Sequence, residues 1–320
     1  MTDLDLIGLG SAIVDFAPVN PGVSLSEIEG FTPSGGGAVA NLLVAASRLG
    51  LRTGFVGCVG DDEFGKFILR DFEKEGVDVS HSKQVRGVAT SLAFYSVDKK
   101  GERHYMFYRF PGYSDPESRL KPRDIDPEYI AQSRAIHFSE ALLRSKSSRD
   151  AVFKALRVGK QHGLMISYDP NVRSALWVNK KEFNDVQRRA LNFADVFLST
   201  IDELALISGT KLVEKAMEKV RNLGPSIMVI RGKDHYRVAS PESDFKVPIF
   251  EVEALDTSGA GDAFDAGFLA GLLKKWPLDK AVELGSAVAA LKVMNVGTRK
   301  GLPRLEAALK FIEQRKTSTS

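Results

Sequence analysis

Cysteine is almost absent from this chain of 320 residues, which carries only Cys58. One cysteine excludes an intrachain disulfide, and the apolar run GFVGCVG around it is typical of a buried packing residue rather than a catalytic thiol. No apolar run reaches the roughly 18 residues of a membrane-spanning helix, and the acidic start MTDLD is unlike a signal peptide. We therefore expect a cytoplasmic protein with no membrane partner.

An excess of charge of either sign is also lacking, since the formal net charge is only +3 and the basic residues are scattered. This distribution argues against a nucleic-acid partner and favours a small substrate. The five histidines show no metal-ligand spacing, so a metal hydrolase has no support. A P-loop kinase is excluded because no G-x-x-x-x-G-K-[ST] motif occurs.

Strand-like runs alternate with amphipathic helical stretches through most of the chain. The run TGFVGCVG reads as one strand, and EVEALDTSGAGDAF reads as a strand that meets a helix. This rhythm predicts an α/β fold, with a mostly parallel central sheet and helices on both faces.

Two segments break the rhythm. Residues 12–35 and 87–115 read as extended chain, and the second contains a hairpin turn at DKKG. We expect them to form a small antiparallel β lid over the carboxyl edge of the main sheet. Residues 1–11, 36–86 and 116–320 would then form the main nucleotide- and substrate-binding domain.

The motif LDTSGAGDAF carries the strongest chemical signal. Gly259, Ala260 and Gly261 have almost no side chain, so backbone N–H groups at a helix N-terminus can approach an anion closely. Asp262 follows in the first helical turn. It is either a helix N-terminal acid, which stabilises a helix by about 0.5–1 kcal/mol, or a base that takes the proton of a hydroxyl attacking a phosphate.

DTSGAGD resembles the C-terminal signature of the PfkB (ribokinase-like) carbohydrate kinases, and SGGGAVANLLVAASRLG resembles their N-terminal signature. The likeness runs from about Leu4 to Ala308. It implies a ribokinase-like three-layer α/β sandwich with a β lid. It also implies an ATP-dependent, magnesium-requiring kinase that phosphorylates a small sugar.

The resemblance also implies roles for individual residues. Asp262 would be the general base, and the backbone from Gly259 through Ala260 and Gly261 would be the anion hole. The positions that match the family's sugar site are Asp15, Gly36, Gly37, Asn41, Arg109, Asn171 and Arg173.

The nucleotide side is implied in the same way. ATP contacts are expected from Thr200, Arg231, Gly232, Lys233, Asp234, Gly259 and Gly261. Glu203 would organise Mg²⁺ through water, although Thr200 stands where the family usually has Asn. In addition, Asp256, Ser258 and the loop near Gly297 would hold K⁺, which would activate the enzyme.

The sugar is less closely defined. RHYMFYRFPGYSD and SYDPNVRSALW resemble fructokinase segments, which favours conversion of fructose to fructose 6-phosphate. PGYSDPESRL departs from the fructokinase pattern, and Glu140 stands where ribokinases have a sugar-contacting Glu. Kinases of 2-keto-3-deoxygluconate, ribose, inositol or a nucleoside therefore remain alternatives.

Two rivals lie outside this class. Gly35, Gly37 and Ala40 formally match a dinucleotide-binding fingerprint with Asp61 beyond it, but the preceding SEIEGFTPS is polar and broken by proline, unlike a buried strand. A non-catalytic sugar-binding module would gain nothing from an acid at Asp262. Because a lid of few strands needs its apolar face covered, we also expect a homodimer joined through the lids.

Overall fold

The computed structural model describes residues 4–99, 103–108 and 115–317. Its strands are β1 (Leu6–Leu9), β2 (Ile13–Pro18), β3 (Phe31–Gly36), β4 (Thr53–Val56), β5 (Cys58–Gly60), β6 (Val77–Asp78), β7 (Lys83–Val85), β8 (Leu92–Val97), β9 (Arg103–Tyr108), β10 (Ala135–Phe138), β11 (Met165–Tyr168), β12 (Val196–Thr200), β13 (Ile227–Arg231), β14 (His235–Ala239) and β15 (Asp244–Pro248). Its α-helices are α1 (Ala38–Arg48), α2 (Glu63–Lys74), α3 (Pro127–Ala131), α4 (Lys146–Gln161), α5 (Lys180–Leu191), α6 (Ile201–Ser208), α7 (Val213–Arg221), α8 (Ala260–Leu273), α9 (Leu278–Val293) and α10 (Leu305–Thr317).

Nine strands form the central sheet, in the order β15-β14-β13-β12-β11-β10-β1-β4-β6. Every pairing from β13 to β6 is parallel, whereas β13 with β14 and β14 with β15 are antiparallel. The inner strands LIGL and AIHF are buried at every position, as expected when helices cover both faces of a parallel sheet. The predicted mostly parallel sheet is confirmed.

The core is divided by this sheet into two layers. One layer contains Phe55, Phe72 and Phe264, and it includes residues from α1, α8 and α9. The other contains Phe138 and Phe197, and it includes residues from α4, α5 and α7. Helices on both sides of one sheet give the three-layer α/β sandwich that the sequence predicts.

A second sheet, with the order β3-β2-β8-β9, lies in the regions predicted as the lid. β2 pairs antiparallel with β3, and β8 pairs antiparallel with β9, so each pair is a unit of its own. The two pairs join through β2 and β8, which run parallel. The lid sheet is thus antiparallel at two of its three pairings and parallel at the central one.

Three local features differ from the sequence predictions. TGFVGCVG divides at Gly57 into β4 and β5, and β5 pairs with β7 outside the central sheet. A Cβ at Gly57 would lie 2.6 Å from the Gly10 carbonyl oxygen, so the chain passes very close there. Residues 249–259 form no strand before α8, and the hairpin of β14 and β15 was not predicted. Within the residues that the structure describes, no helix is both long and apolar enough to cross a membrane.

Candidate active site

A cleft of about 510 Å³ opens where several parallel strands reach their carboxyl ends. Residues that follow β1, β10, β11 and β12 line it, and so do lid residues of β2 and β9. Most predicted site residues are among its lining: Asp15, Gly37, Asn41, Asn171, Arg173, Thr200, Glu203, Arg231, Gly232, Gly259, Ala260, Gly261 and Asp262. The volume suits one small ligand or part of a larger one.

The start of α8 forms one wall of the cleft. Gly259 precedes the helix with φ of 67°, a conformation that favours glycine. A Cβ on Gly261 would meet nothing nearer than the Arg231 guanidinium, at 3.6 Å. Because the first N–H groups of a helix lack partners within it, this open helix start can bind an anion.

Asp262 lies in the first turn of α8 and is only 8% exposed. Burial raises the pKa of its carboxyl to about 6, although a hydrogen bond from the Asn41 amide acts in the opposite direction. The negative charge of Asp169 adds to the increase, whereas Arg173 and Arg231 oppose it. A carboxylate with a pKa near 6 is ionised at neutral pH yet basic enough for proton transfer.

Asn41 holds this carboxylate in place. Its Nδ2 donates to Oδ2 of Asp262 at 2.9 Å, and its Oδ1 accepts from Nε of Arg299 at 3.1 Å. Arg299 is 6% exposed and also pairs with Asp71 of α2. A chain of buried polar contacts thus fixes Asn41 from behind and leaves its amide group to orient Asp262.

Arg231, at the end of β13, lies between two buried acids. Its Nη1 donates to Asp265 at 2.7 Å and its Nη2 donates to Asp169 at 2.8 Å. Burial alone would lower the pKa of the guanidinium, but the charges of Asp169, Asp265 and Glu203 raise it instead. The predicted ATP contact at Arg231 is therefore also an ion-pair centre of the cleft.

The pKa values of the two acids beside Arg231 shift in opposite directions. Burial raises the pKa of Asp265 well above its ordinary value, and a hydrogen bond to Asp169 reinforces this. Burial opposes ionisation of Asp169 too, but Arg231 and the bond from Asp265 bring its pKa below the ordinary value. Asp265 is thus the more basic of the two carboxyl groups, and Asp169 is the more acidic one.

Thr200 and Glu203 form a capping box at the start of α6. Thr200 Oγ1 accepts from the Glu203 N–H at 3.2 Å, and Glu203 Oε2 accepts from the Thr200 N–H at 2.9 Å. Thr200 thus performs the role of a helix N-cap. Glu203 Oε1 accepts from the Val172 N–H at 2.8 Å, so backbone donors already engage both carboxylate oxygens.

The carboxylate oxygens of Glu203 suit Mg²⁺ that is bound through water. Mg²⁺ keeps several waters and is usually bound by one or two carboxylates together with phosphates. Glu203 faces the cleft with its oxygens partly committed, which fits contact through water rather than direct ligation. No cluster of three metal-ligating side chains occurs among the residues described, so the fit depends on phosphate oxygens as further ligands.

Asp15 and the glycine pair form the lid side of the cleft. Asp15, on β2, is 3% exposed. A Cβ on Gly36 would lie 2.2 Å from Asp15 Oδ2, and Gly37 has φ of 102° with its missing Cβ against the Ser11 carbonyl oxygen. Gly36 therefore provides room for Asp15, and Gly37 allows the close approach to the Ser11 carbonyl. Gly36 itself does not line the cleft.

Glu140 faces the same space from the end of β10. Its Oε2 accepts from Trp177 Nε1 at 2.5 Å and its Oε1 accepts from the Arg173 N–H at 2.8 Å. Burial raises the pKa of Glu140. Asn171, nearby, has φ of 43°, which Asn tolerates better than most residues. Glu140 and Asn171 thus shape the loop that carries Arg173.

Other predicted site residues lie apart from the cleft. Lys233 and Asp234 occupy the exposed turn between β13 and β14, outside the cleft lining. Their ATP contacts remain a prediction. Arg109 lies outside the described residues.

Asp256 and Ser258 are fully buried just before the α8 start. Asp256 Oδ1 accepts from the Ser258 N–H at 2.8 Å, and Oδ2 accepts from the Gly297 N–H at 2.7 Å. The backbone oxygen of Asp256 accepts from Nζ of Lys292 at 2.8 Å. A lysine ammonium thus donates to a carbonyl in the segment where the sequence predicts a potassium ion.

Sequence reasoning missed four charged residues in and around the site: Asp169, Asp265, Lys292 and Arg299. The spacing of Asp265, three residues after Asp262 on the same helix, was an available signal. Asp169 follows a buried strand directly and could also have been found. Nothing local distinguishes Lys292 or Arg299 from surface charges.

The fold is an α/β sandwich, and its cleft places an open helix start beside the buried carboxyl group of Asp262. The model of the pfkB family carbohydrate kinases matches residues 3–305. The chain is 33% identical to "Probable fructokinase-2" of Arabidopsis thaliana over 317 residues, which cover 96% of this chain and 95% of that one. It is equally 33% identical to 5-dehydro-2-deoxygluconokinase of Clostridium perfringens (strain ATCC 13124), over 98% of this chain and 94% of that one.

Solved structures agree. An Escherichia coli protein assigned as a ribokinase II, in complex with ATP and Mg²⁺, matches with a TM-score of 0.89 and 25% identity over 97% of this chain and 99% of that one. A double mutant of Vibrio cholerae fructokinase, with fructose, ADP and potassium, matches with a TM-score of 0.85 and 28% identity over 98% and 99%. The chain belongs to the pfkB family of carbohydrate kinases, as the sequence predicts.

Proposed function

We propose that this kinase transfers the γ-phosphoryl group of ATP to a primary hydroxyl of a small sugar, with fructose as the first candidate acceptor and fructose 6-phosphate as its product. The observation that carries the proposal is the position of Asp262. Its carboxylate, with a pKa near 6, lies in the same helical turn as the Gly259–Gly261 anion cradle. A base and an anion site side by side are the two groups that phosphoryl transfer to an alcohol requires.

The chain's own residues then divide the chemistry. Asp262 accepts the proton of the sugar hydroxyl as that oxygen bonds to the γ-phosphorus and ADP leaves with the bridging oxygen, while Asn41 fixes the carboxylate that receives the proton. The backbone N–H groups at the start of α8 bind the negative charge of the transferred group. Magnesium, when bound, neutralises phosphate charge, and Glu203 would hold it through water.

The sugar would lie on the lid side. Asp15 and Asn41 are positioned to accept from or donate to hydroxyls, and Arg173 brings positive charge to the same cleft. Arg109 stays a predicted sugar contact by its resemblance to the family position. Lid residues Tyr105 and Phe107 line the cleft and would exclude water from the bound sugar.

A second candidate acceptor is 5-dehydro-2-deoxygluconate. Two observations favour it: the equally similar relative named for that activity, and two arginines in the cleft lining, Arg144 and Arg173, that could bind an acidic sugar. Fructose has no carboxylate to use them. The two acceptors therefore differ in their dependence on these arginines.

The test is an ADP-release assay with purified enzyme, ATP and Mg²⁺ over a panel of acceptors. The panel contains fructose, 5-dehydro-2-deoxygluconate, 2-keto-3-deoxygluconate, ribose, myo-inositol and nucleosides. The highest kcat/KM is expected with fructose; a higher value with the acidic sugar, lowered selectively by Arg144→Gln, would select the second candidate. Binding of a sugar without turnover of any panel member would contradict the kinase proposal.

A further inference from the structure

Lys292 is a lysine with no exposure to solvent. It is the penultimate residue of α9, its exposed fraction is 0%, and its Nζ donates to the backbone oxygen of Asp256 at 2.8 Å. Lysine is almost never fully buried unless its charge is paired, because desolvating an ammonium is costly. The burial of Lys292 therefore needs a structural or functional explanation, which the presence of a surface lysine would not.

The partner charge is Asp256, which is also fully buried. Burial opposes ionisation of this carboxyl, but the Lys292 ammonium, the Ser258 hydroxyl and the N–H groups of Ser258 and Gly297 lower its pKa below the ordinary value. Lys292 thus donates to the backbone oxygen of Asp256, and its positive charge is balanced by the nearby carboxylate of the same residue. Both residues are completely buried in the folded protein.

This pair ties two segments together just before the anion cradle. The carbonyl of Val293, next to Lys292, accepts from the N–H groups of Leu255 and Asp256 at 2.8 and 3.0 Å. Asp256 Oδ2 fixes the loop at Gly297, and Asp256 Oδ1 fixes Ser258. The residue that follows Ser258 is Gly259, where the cradle begins. The direction of the cradle N–H groups therefore depends on these buried contacts of Asp256 and Lys292.

The same atoms do not fit a bound potassium ion as the sequence predicts. A hard cation at this segment needs oxygen ligands, and the Asp256 carbonyl already accepts from an ammonium. A second positive charge within coordination distance would be repelled by Lys292 in a low-dielectric interior. Because an ammonium is itself a compact, strongly charged donor, it can perform the ordering that a monovalent cation would perform.

We propose that Lys292 is a positioning residue for the anion cradle and that its ammonium takes the place of a monovalent cation in this enzyme. The proposal rests on the proposed phosphoryl transfer for its kinetic consequences. It makes activity independent of potassium. The proposal also implies that a variant lacking the Lys292 side chain binds a monovalent cation in the space that the side chain vacates.

The test compares wild type with Lys292→Ala and Lys292→Met. Formation of sugar phosphate is measured directly by chromatography in Na⁺, K⁺, NH₄⁺ or tetramethylammonium buffers, so that no coupling enzyme adds its own cation requirement. Wild type should have the same kcat within about twofold in all four. In tetramethylammonium, both variants should lose kcat by a factor on the order of 10 to 10², the usual cost of a misplaced catalytic group.

The variants should then differ. Lys292→Ala leaves a polar cavity, so K⁺ or NH₄⁺ should restore kcat in a saturable way, whereas Lys292→Met fills the space without charge and should not respond. Thermal unfolding gives a readout free of activity: K⁺ should raise the Tm of Lys292→Ala relative to tetramethylammonium and leave that of wild type unchanged. Lys310→Ala, on an exposed face of α10, is the matched control and should behave as wild type.

Several outcomes would overturn the proposal. One is activation of wild type by K⁺ over Na⁺ by several fold, and another is full kcat in Lys292→Met. If Lys292→Ala does not fold in tetramethylammonium, folding that K⁺ also fails to support would contradict a cation site. Failure of the proposed function is distinguishable from these, because wild type would then turn over no sugar while the Tm comparison still reports on the cation.

Discussion

Asn41 donates its side-chain amide to the carboxylate of Asp262 at 2.9 Å, across 221 residues of sequence. The first residue belongs to α1, which follows the Gly-Gly pair, and the second belongs to the first turn of α8. The contact joins the two motifs on which the sequence argument depended. It also gives Asp262 a fixed orientation toward the cleft, which a helix-capping acid would not need.

Asp262→Asn should lower kcat by a factor on the order of 10² to 10⁴, since the variant keeps the shape and loses the base. Its Tm should equal or exceed that of wild type, because the raised pKa means that the ionised carboxylate costs stability above about pH 6. The measurement is kcat with the best acceptor, together with thermal unfolding. Asp279→Asn, an exposed first-turn acid of α9, is the control. Normal kcat with a lowered Tm would show that Asp262 stabilises the start of α8 and does not act as the base.

The pH dependence of the reaction should report the same carboxyl. Asp262 must be ionised to accept a proton, so kcat/KM should fall as the pH drops through about 6. Asn41 lowers this pKa through its hydrogen bond, and Asn41→Ala should therefore move the acid limb to higher pH. Profiles of both enzymes from pH 5 to 9 test this. An acid limb that stays in place in the variant would mean that another group titrates.

Arg231→Met should destabilise the fold by about 3–5 kcal/mol, because it leaves the buried carboxyl groups of Asp169 and Asp265 without their cation. Adding Asp169→Asn should recover part of the loss, because Asp169 is the acid whose pKa Arg231 lowers. Urea unfolding measures both. Arg237→Met, on neighbouring β14, breaks pairs with two exposed acids and should cost under about 1 kcal/mol. Equal losses of unfolding free energy in Arg231→Met and Arg237→Met would contradict a larger contribution of the buried cluster to stability.

His137 should make the fold sensitive to acid. It is buried on β10, its Nδ1 lies 3.0 Å from Ser167 Oγ, and burial lowers its pKa from 6.5 to about 4. Because the folded pKa is below the unfolded one, stability is complete above pH 6.5 and falls as the pH drops toward 4. The loss is on the order of 3 kcal/mol.

His137→Asn removes this titration, so its unfolding free energy should vary less than that of wild type over the same range. Urea unfolding at several pH values measures the difference between the two proteins, and exposed His162→Asn is the control. Parallel curves for wild type and His137→Asn would show that His137 is not the group responsible.

The parts of the site that the sequence predicted are local ones. The helix start is one continuous stretch of sequence, Gly259 to Asp262. Its three small residues indicate an open backbone, and the acid that follows them indicates a carboxylate beside it. The alternating pattern similarly predicted the parallel sheet, because buried parallel strands are continuous apolar runs. What one segment determines by itself could be read from that segment.

The parts that the sequence missed depend on distant partners. Asp169 and Asp265 come from a strand end and a helix, and only the fold joins them in one ion-pair cluster with Arg231, which the sequence predicted as an ATP contact. Lys292 reads as an ordinary helix-end lysine until α9 is packed against the Asp256 segment. The hairpin of β14 and β15 was missed although β15 (DFKVP) alternates polar and apolar residues, because this strand is short and its apolar residues are only partly buried.

The lid sheet carries the last prediction, a homodimer joined through the lids. Neighbouring residues of a strand face opposite sides. On β9, Tyr105 and Phe107 line the cleft, whereas Met106 lies opposite Phe94 in register on the other face and is 43% exposed. Tyr108, on the same face as Met106, is 45% exposed.

An exposed apolar face of this kind is typical of a protein–protein contact surface, and a second copy of the lid would cover it. Light scattering at assay concentration should give twice the chain mass. Met106→Lys should shift that mass toward the monomer and raise the KM for sugar more than that for ATP, because the neighbouring residues Tyr105 and Phe107 line the proposed sugar side of the cleft. Lys310→Ala is again the control, since α10 lies outside the lid. A monomeric wild type, or a Met106→Lys variant with unaltered mass, would contradict dimerisation through this face.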